Sequence, residues 1–257
     1  MTPLKVATDK RLSSVEAALR ILKAFDDETT SLGVTELSKH LGVAKSTAHR
    51  LVSTLQAEGF LEQNPQDARY HLGLTLFSLG ALVRRRMDIS SQALPHLALL
   101  RDQTSETVHL SVLDKSDVLY LYNLESPQAI RMRSYLGTRK PALSTSEGRA
   151  ILAFSPPAVV QLALKAQRLA RTQHTLTASS HWLSCLKEVQ NNRCALDLEE
   201  SEPGMVGLAA PIFNAQGEVV AAVGIGGPVQ RLNKKNLKAF TPMVMQAAQA
   251  ISVRLGF

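Results

Sequence analysis

Residues 34–61 read VTELSKHLGVAKSTAHRLVSTLQAEGFL, and this stretch narrows the fold more than any other. Leu37 and Leu41 recur at helical spacing before Gly42, and Ala48, Leu51, Val52 and Leu55 do so after it. Helices this short are marginal alone in water and must bury their apolar sides against one another. Gly42 suits a turn with positive φ, with Val43 packing inward beside it. The second helix opens at Lys45 or Ser46, and Ser46, Thr47, His49 and Arg50 are left for its outer surface. No acidic residue falls between Glu36 and Glu58, whereas Lys39, Lys45 and Arg50 do. This is the pattern of a helix-turn-helix, whose second helix enters the DNA major groove beside the phosphates. Thr35 is expected to cap the first helix, and Ser38 three positions on leaves the capping box incomplete. Thr35, Lys45, Ser46, Thr47, His49 and Arg50 are the candidate DNA contacts, while Lys39 reads equally well as solvated surface.

A preceding helix, capped by Ser13 or Ser14, carries Val15, Ala18, Leu19, Leu22 and Phe25 as its expected apolar side, after a loose polar lead from Met1 to Lys10. Gly59 stops the second helix of the pair. Phe60 and Leu61 then begin a strand, NPQDAR turns, and Tyr70, Leu72 and Leu74 return, which makes the arrangement winged. Arg69 and His71 fall near the wing, where backbone phosphates or the minor groove would lie. Leu74, Phe77, Leu79, Leu82 and Val83 mark a helix ending near Arg84-Arg85-Arg86, with an apolar face suited to a partner subunit.

Beyond it the period changes. A helix from about Ile89 to Thr104 repeats Leu94, Leu97 and Leu100. Strands follow at Thr107–Leu113 and Val118–Ser126 around a turn at Asp114–Asp117, and Arg131–Tyr135 reads as a third. Helices are expected from Thr145 or Ser146 to about Phe154, from Ala158 to Leu169 and from Thr177 to Asn191. Gly207–Phe213 and Glu218–Gly226 form a hairpin about NAQG, and Asn236–Arg254 closes the chain as a helix. The order implies an α+β domain with one antiparallel sheet flanked by helices.

At 257 residues the chain is expected to hold two domains. Its net charge of +7 suits a nucleic-acid partner, yet residues 1–86 contribute +3 and residues 87–257 contribute +4, so local pattern matters more than the total. Cys185 and Cys194 are the only cysteines, and their spacing defines no zinc site. No apolar run suits a signal core or a membrane span, so a cytoplasmic protein is expected.

The sequence carries no familiar catalytic constellation. The chain has no GxSxG, no phosphate loop ending in GK[ST], no HExxH and no repeated CxxC, and GIGGP lacks the spacing of a dinucleotide loop. Neither metal nor cofactor is expected. Asp197, Glu199, Glu200 and Glu202 read as a solvated acidic turn, and Ser144-Thr145-Ser146-Glu147 as a helix cap or a ligand site at free backbone N–H groups. Two rival readings stand beside a DNA-binding regulator: a small-molecule-processing enzyme with a docking helix-turn-helix, and a protein-interaction module.

The stretches SVEAALRILKAF, VTELSKHLGVAKSTAHRLVSTLQAEGFLE, RYHLG, SETVHLSVLD, LGTRKPALSTSEGRAILA, DLEESEPGMVGLAAPIFNAQGEVVAAVGIGGP and ISVRLG occur in this order from Ser14 to Gly256. In that order and spacing the chain resembles the IclR family of bacterial transcription regulators. The resemblance implies a winged helix-turn-helix over residues 1–73, a linker helix over 74–87 and an effector-binding and oligomerisation domain over 88–257. It implies a dimer or tetramer that represses or activates a catabolic operon, a double-stranded operator and a small organic effector. It places the effector among Ser146, Glu147, Gly148, Asp197, Met205, Gly207, Gly224 and Gly226. Family members that bind small oxo-acids resemble one another in a small residue at the position of Glu147, a cysteine at that of Gly207 and serines at those of Gly224 and Gly226. By that comparison this pocket loses side-chain donors, gains room, and gains a carboxylate if Glu147 faces inward. A ligand larger than glyoxylate or pyruvate, bearing hydroxyl or amino groups, is then expected, with Arg131, Arg133 and Arg139 available to offset the acidity if they reach inward.

Overall fold

The computed structural model describes residues 13–85, 88–132, 136–166 and 170–257. The chain divides into two compact units at residues 86 and 87.

The first unit holds α1 (Ser13–Leu22), α2 (Val34–Leu41), α3 (Lys45–Ala57), the short strands β1 (Leu61–Gln63) and β2 (Tyr70–Leu72), and α4 (Leu74–Arg85). Ile21, Leu37, Leu41, Val52, Leu61 and Tyr70 form its core, with Val43, Leu51 and Leu55 packed against it. The turn after α2 is built as the sequence predicts. Gly42 takes φ +71°, its N–H reaches Lys39 O, and the Val43 N–H reaches Ser38 O, so the last carbonyls of α2 are satisfied. The wing is antiparallel, Leu61 opposite Leu72, and Gly73 is obligatory at its base because a Cβ there would meet Gly59 O at 2.2 Å.

Two expectations for this unit are corrected. Thr35 is not the cap of α2: it is exposed inside the helix, Gly33 holds the cap position, and the Glu36 carboxylate accepts the Gly33 N–H at 2.7 Å. On α1 the fully buried residue is Ile21, whereas Val15 and Leu19 are about half exposed. The α4 helix buries no residue within its unit, and Leu74 and Phe77 are its most exposed apolar side chains.

The second unit is a six-stranded sheet in the order β5-β4-β3-β8-β7-β6, antiparallel throughout. Its strands are β3 (Thr107–Asp114), β4 (Asp117–Leu124), β5 (Arg139–Pro141), β6 (Ala195–Leu198), β7 (Met205–Phe213) and β8 (Val219–Pro228). One face packs on α5 (Asp88–Thr104) and α9 (Lys234–Arg254), the other on α6 (Ser146–Leu152), α7 (Pro157–Lys165) and α8 (Ser179–Asn192). Alternation divides β8 sharply. Ala221, Val223 and Ile225 enter the α5–α9 core, while Ala222, Gly224 and Gly226 face the α6 side.

Differences from the sequence reading are local. Ala93, Leu97 and Leu100 are the buried residues of α5, and Leu94 faces out. Arg131 and Met132 are not in a strand, and Arg133–Tyr135 lie outside the described residues. The strand on that edge is β5, which pairs Leu119 with Arg139. The acidic turn contains β6, whose Ala195 and Asp197 point in while Leu196 and Leu198 point out. Helices lie on both faces of the sheet, as the reading of a sheet flanked by helices expects.

Candidate nucleic-acid interface and effector site

The helix α3 begins at Lys45 after Ala44, which offers no side-chain cap, so the first-turn amides of α3 have no side-chain acceptor at that position. Lys45, Ser46, Thr47, His49 and Arg50 are all exposed there, while Ala48 and Val52 on the opposite side are fully buried. The α3 helix carries no acidic residue in its first turn. Free amides, hydroxyls and cations on one surface suit a polyanion. Arg69 is disposed differently from the sequence expectation. Its Nε donates to Ser31 Oγ at 2.9 Å, and one terminal nitrogen lies 2.8 Å from Ser31 O and 2.9 Å from the Glu36 carboxylate. The Gly33 N–H and then Arg69 hold the Glu36 carboxyl below its usual range. Arg69 therefore braces the wing against α2, and His71 is likewise turned to Thr30 O at 3.1 Å.

In the second unit a polar layer lies between α6 and the sheet. Thr107, His109 and Ser111 of β3, Tyr120 of β4, Asp197 of β6, Gly207 of β7 and Gly224 and Gly226 of β8 share this face by strand parity. Thr145 caps α6, its hydroxyl accepting the Gly148 N–H at 3.2 Å, so the capping role holds for the polar run before the helix. Gly148 is required for α6 to lie this close: a Cβ would sit 2.1 Å from Ala142 O.

Glu147 faces inward and is buried. His109 Nδ1 lies 3.1 Å from its Oε1, and the Ser146 hydroxyl donates to its Oε2 at 3.1 Å. Burial works to raise the Glu147 carboxyl, but the hydrogen bond and charge of His109, with Ser146, bring it below the ordinary range. His109 also rests against Tyr120, with ring centroids 4.8 Å apart. Burial, and then the charges of Glu147 and Asp197, push the Tyr120 phenol well above its ordinary value, so it remains a hydrogen-bond donor. Asp197 accepts the Glu200 N–H at 2.8 Å, the Ser201 N–H at 3.2 Å and the Ser201 hydroxyl, and burial raises its carboxyl against those bonds. Both oxygens thus hold the acidic loop that Met205 closes through its backbone to Glu199.

The expected extra room is not there. The Cβ position at Gly207 lies 2.6 Å from Ser146 Oγ, that at Gly224 lies 2.9 Å from Glu147 Oε1, and that at Gly226 lies 2.5 Å from Met132 Sδ. The glycines make space for this chain's own side chains, and the network they admit is made of acids, hydroxyls and an imidazole. The surface arginines do not reach inward either. Arg131 pairs with Glu125 at 2.9 Å and Arg139 with Asp114, while Arg133 lies outside the described residues.

The arginine inside is one that sequence reasoning missed. Arg149 is buried, pairs with Glu200, donates from Nε to Leu143 O at 2.7 Å and lies 5.0 Å from the centre of the Trp182 ring. Sequence reasoning also left Thr107 and Ser111 without a role. Three polar residues alternating with apolar ones in TVHLS, at 107, 109 and 111, were the available signal that one sheet face is polar.

Two family models match successive parts of the chain. The model of the IclR helix-turn-helix domain matches residues 14–65, and that of the bacterial transcriptional regulator IclR C-terminal domain matches residues 81–253. The chain is 34% identical over 247 residues to the HTH-type transcriptional regulator XynR of Escherichia coli, covering 96% of this chain and 98% of that protein. A crystal structure of an IclR regulator from Silicibacter sp. superposes with TM-score 0.82 at 29% identity, covering 95% of this chain and 96% of that one. An IclR homologue from Microbacterium hydrocarbonoxydans, solved in complex with 4-hydroxybenzoate, superposes with TM-score 0.82 at 25% identity, covering 94% and 98%.

Proposed function

Because this chain belongs to the IclR family of bacterial transcription regulators and is not an enzyme, we propose that it reads an operator through α3 and answers to a small hydroxylated or aromatic metabolite bound between α6 and the sheet. The observation that carries the DNA reading is the outer surface of α3, where Lys45, Ser46, Thr47, His49 and Arg50 are exposed and no acid intervenes. Their side chains contact base edges and phosphates, and Thr35 on α2 adds a backbone contact. The chain acts as a homo-oligomer on a roughly palindromic site, with half-sites about one helical turn apart or a multiple of it. The exposed apolar face of α4 supports a subunit contact within residues 74–87.

For the effector, Ser146, Glu147, Gly148, Asp197, Met205, Gly207, Gly224 and Gly226 form or shape the site. Glu147 is held as an anion among His109, Ser146 and the protonated Tyr120 phenol, a setting that favours a ligand donating a hydroxyl or amino hydrogen. The relative bound to 4-hydroxybenzoate supports a ligand of that size and kind. Binding shifts DNA affinity only by its differential affinity for two arrangements of the regulator, and the regulated genes are those of a catabolic operon.

The deciding experiment is DNA binding to the gene's own upstream intergenic region at fixed salt, against a scrambled duplex. Sequence-dependent binding that hydroxylated aromatic acids or sugar-like hydroxy acids release or strengthen is the expected result. Equal weak binding to both duplexes, with or without such compounds, overturns the DNA reading for that region. Pyruvate or glyoxylate acting through direct contact with this pocket overturns the effector class.

A further inference from the structure

The strand β6 begins only at Ala195, opposite Ala209, so β7 runs on from Ala210 to Phe213 with no strand neighbour on that side among the described residues. This edge is closed to strand addition. Pro211 has no N–H, and the Phe213 N–H is taken by Ser252 Oγ at 3.0 Å. Beside it lies a cavity of about 500 Å³, walled by Pro211, Phe213, Met245 and Phe257 and bordered by Gln246 and Gln249 of α9 and by Arg193. Its volume lies within the range of small-molecule pockets, roughly 300–1,000 Å³.

Arg193 is the unusual residue here. It ends α8 with φ +55°, a left-handed position that glycine or asparagine would occupy with less strain. That backbone aims the guanidinium across Phe154 and Phe213, at 5.1 and 5.5 Å from the ring centres. Phe213 is edge-on to Phe154 at 5.2 Å and stacked on Phe257 at 5.1 Å, so the three rings form one apolar platform under the cation. No carboxylate side chain lines the cavity, and Arg193 makes no ion pair among the described residues. A planar cation with its ring face covered and its N–H edge unpaired, beside two amides and an apolar wall, matches a carboxylate carried on an apolar body.

We propose that this notch is a second small-molecule site, separate from the polar layer under α6, and that it takes an organic monocarboxylate with an aromatic or aliphatic body. The carboxylate sits on Arg193 and the amides of Gln246 or Gln249, and the body lies against Pro211, Met245 and Phe257. The strands β6 and β7 connect the two sites, because Asp197 and Gly207 lie further along them. Occupancy of the notch therefore bears on the strand that holds Asp197.

The test uses the full-length protein with 13C-methyl methionine, the Met245 resonance assigned by M245L, and benzoate as the probe with benzamide as its uncharged isostere. The expected result is a saturable Met245 shift with benzoate, a much weaker one with benzamide, and roughly tenfold or greater weakening of benzoate in R193Q, the range for a lost charged hydrogen bond. Q249E, on exposed helix surface, places a carboxylate at the rim and should weaken benzoate while leaving benzamide unchanged, which keeps the test decisive if R193Q does not fold. The proposal fails if Met245 does not respond to benzoate, if benzamide binds equally, or if both variants bind benzoate as the wild type does. It also fails if only Met132 and Met205 respond, which would assign the probe to the α6 face. A change of oligomeric state in R193Q by light scattering, with benzoate binding intact, would make the notch a contact between copies and overturn it as well.

Discussion

The two polar surfaces of this protein are organised in opposite ways. On α3 the hydroxyls and cations of Ser46, Thr47 and Arg50 are exposed on a helix with no side-chain cap. Under α6 the polar groups are buried and already engaged with one another: Glu147 with His109 and Ser146, Asp197 with Ser201, and Arg149 with Glu200. The first surface is ready for a partner that brings its own charge. If the proposed effector binds under α6, it must exchange internal hydrogen bonds for its own, so its affinity would be a small difference between two networks.

That contrast predicts where substitutions are felt. The largest effect is expected under α6, from Arg149→Met. It strands the buried Glu200 carboxylate and should cost about 3–5 kcal/mol in chemical denaturation. A loss near zero would mean that the network is slack and that the contrast is wrong. Gly148→Ala comes next. Its Cβ would meet backbone at 2.1 Å, and overpacking of this kind costs about 1–3 kcal/mol, with a lowered melting temperature as the readout. On α3 the same scale should appear in DNA affinity alone: Arg50→Ala is expected to cost about 1–3 kcal/mol of operator binding while leaving the melting temperature unchanged. If Arg50→Ala also unfolds the protein, the surface is not free for a partner.

A gentler test uses pH. The folded Glu147 carboxyl lies below its ordinary value of 4.5, so its stabilising contribution is present above that value and is lost as pH falls through the depressed one. Asp197 lies above its ordinary value of 3.8, so its contribution is present below 3.8 and is lost as pH rises through the raised value. Glu147→Gln should therefore flatten the acid limb of a stability profile, and Asp197→Asn should raise the neutral limb relative to it; matching profiles would refute the opposed shifts. The smallest effect is expected from Ser111→Ala. The Ser111 hydroxyl is buried without a hydrogen-bond partner among the described residues, so its removal should be neutral or stabilising by under about 1 kcal/mol.

The legibility of the sequence follows the same contrast. The exposed α3 surface could be read residue by residue, because a helix sorts its residues by a simple period and the Gly42 turn fixes its start. The α1 helix was harder: Val15 and Leu19 fit the apolar period but stay about half exposed, Val15 lining an open cleft beside α3, and Ile21 fills the core instead. The strand β6 was illegible because its polarity is inverted. Its leucines face out and Ala195 and Asp197 face in, so the pattern resembles a solvated turn. The direction of Glu147 was likewise out of reach. It depends on His109, thirty-eight residues away in sequence, and on Gly224 of β8 leaving its carboxylate room.

The parity of β8 has a consequence for how such a regulator changes over generations. Positions 221, 223 and 225 hold the core, and positions 222, 224 and 226 floor the layer under α6, so neighbouring residues of one strand answer to different demands. Gly226 faces Met132 and Gly224 faces Glu147, so a larger residue at either calls for a change opposite, and at 224 also for room from Ala209 and the Leu208 backbone, while the odd-numbered positions keep the domain folded. On the proposed reading, a change of effector is then a matter of paired exchanges on one side of a strand, made while the residues on its other side hold the core.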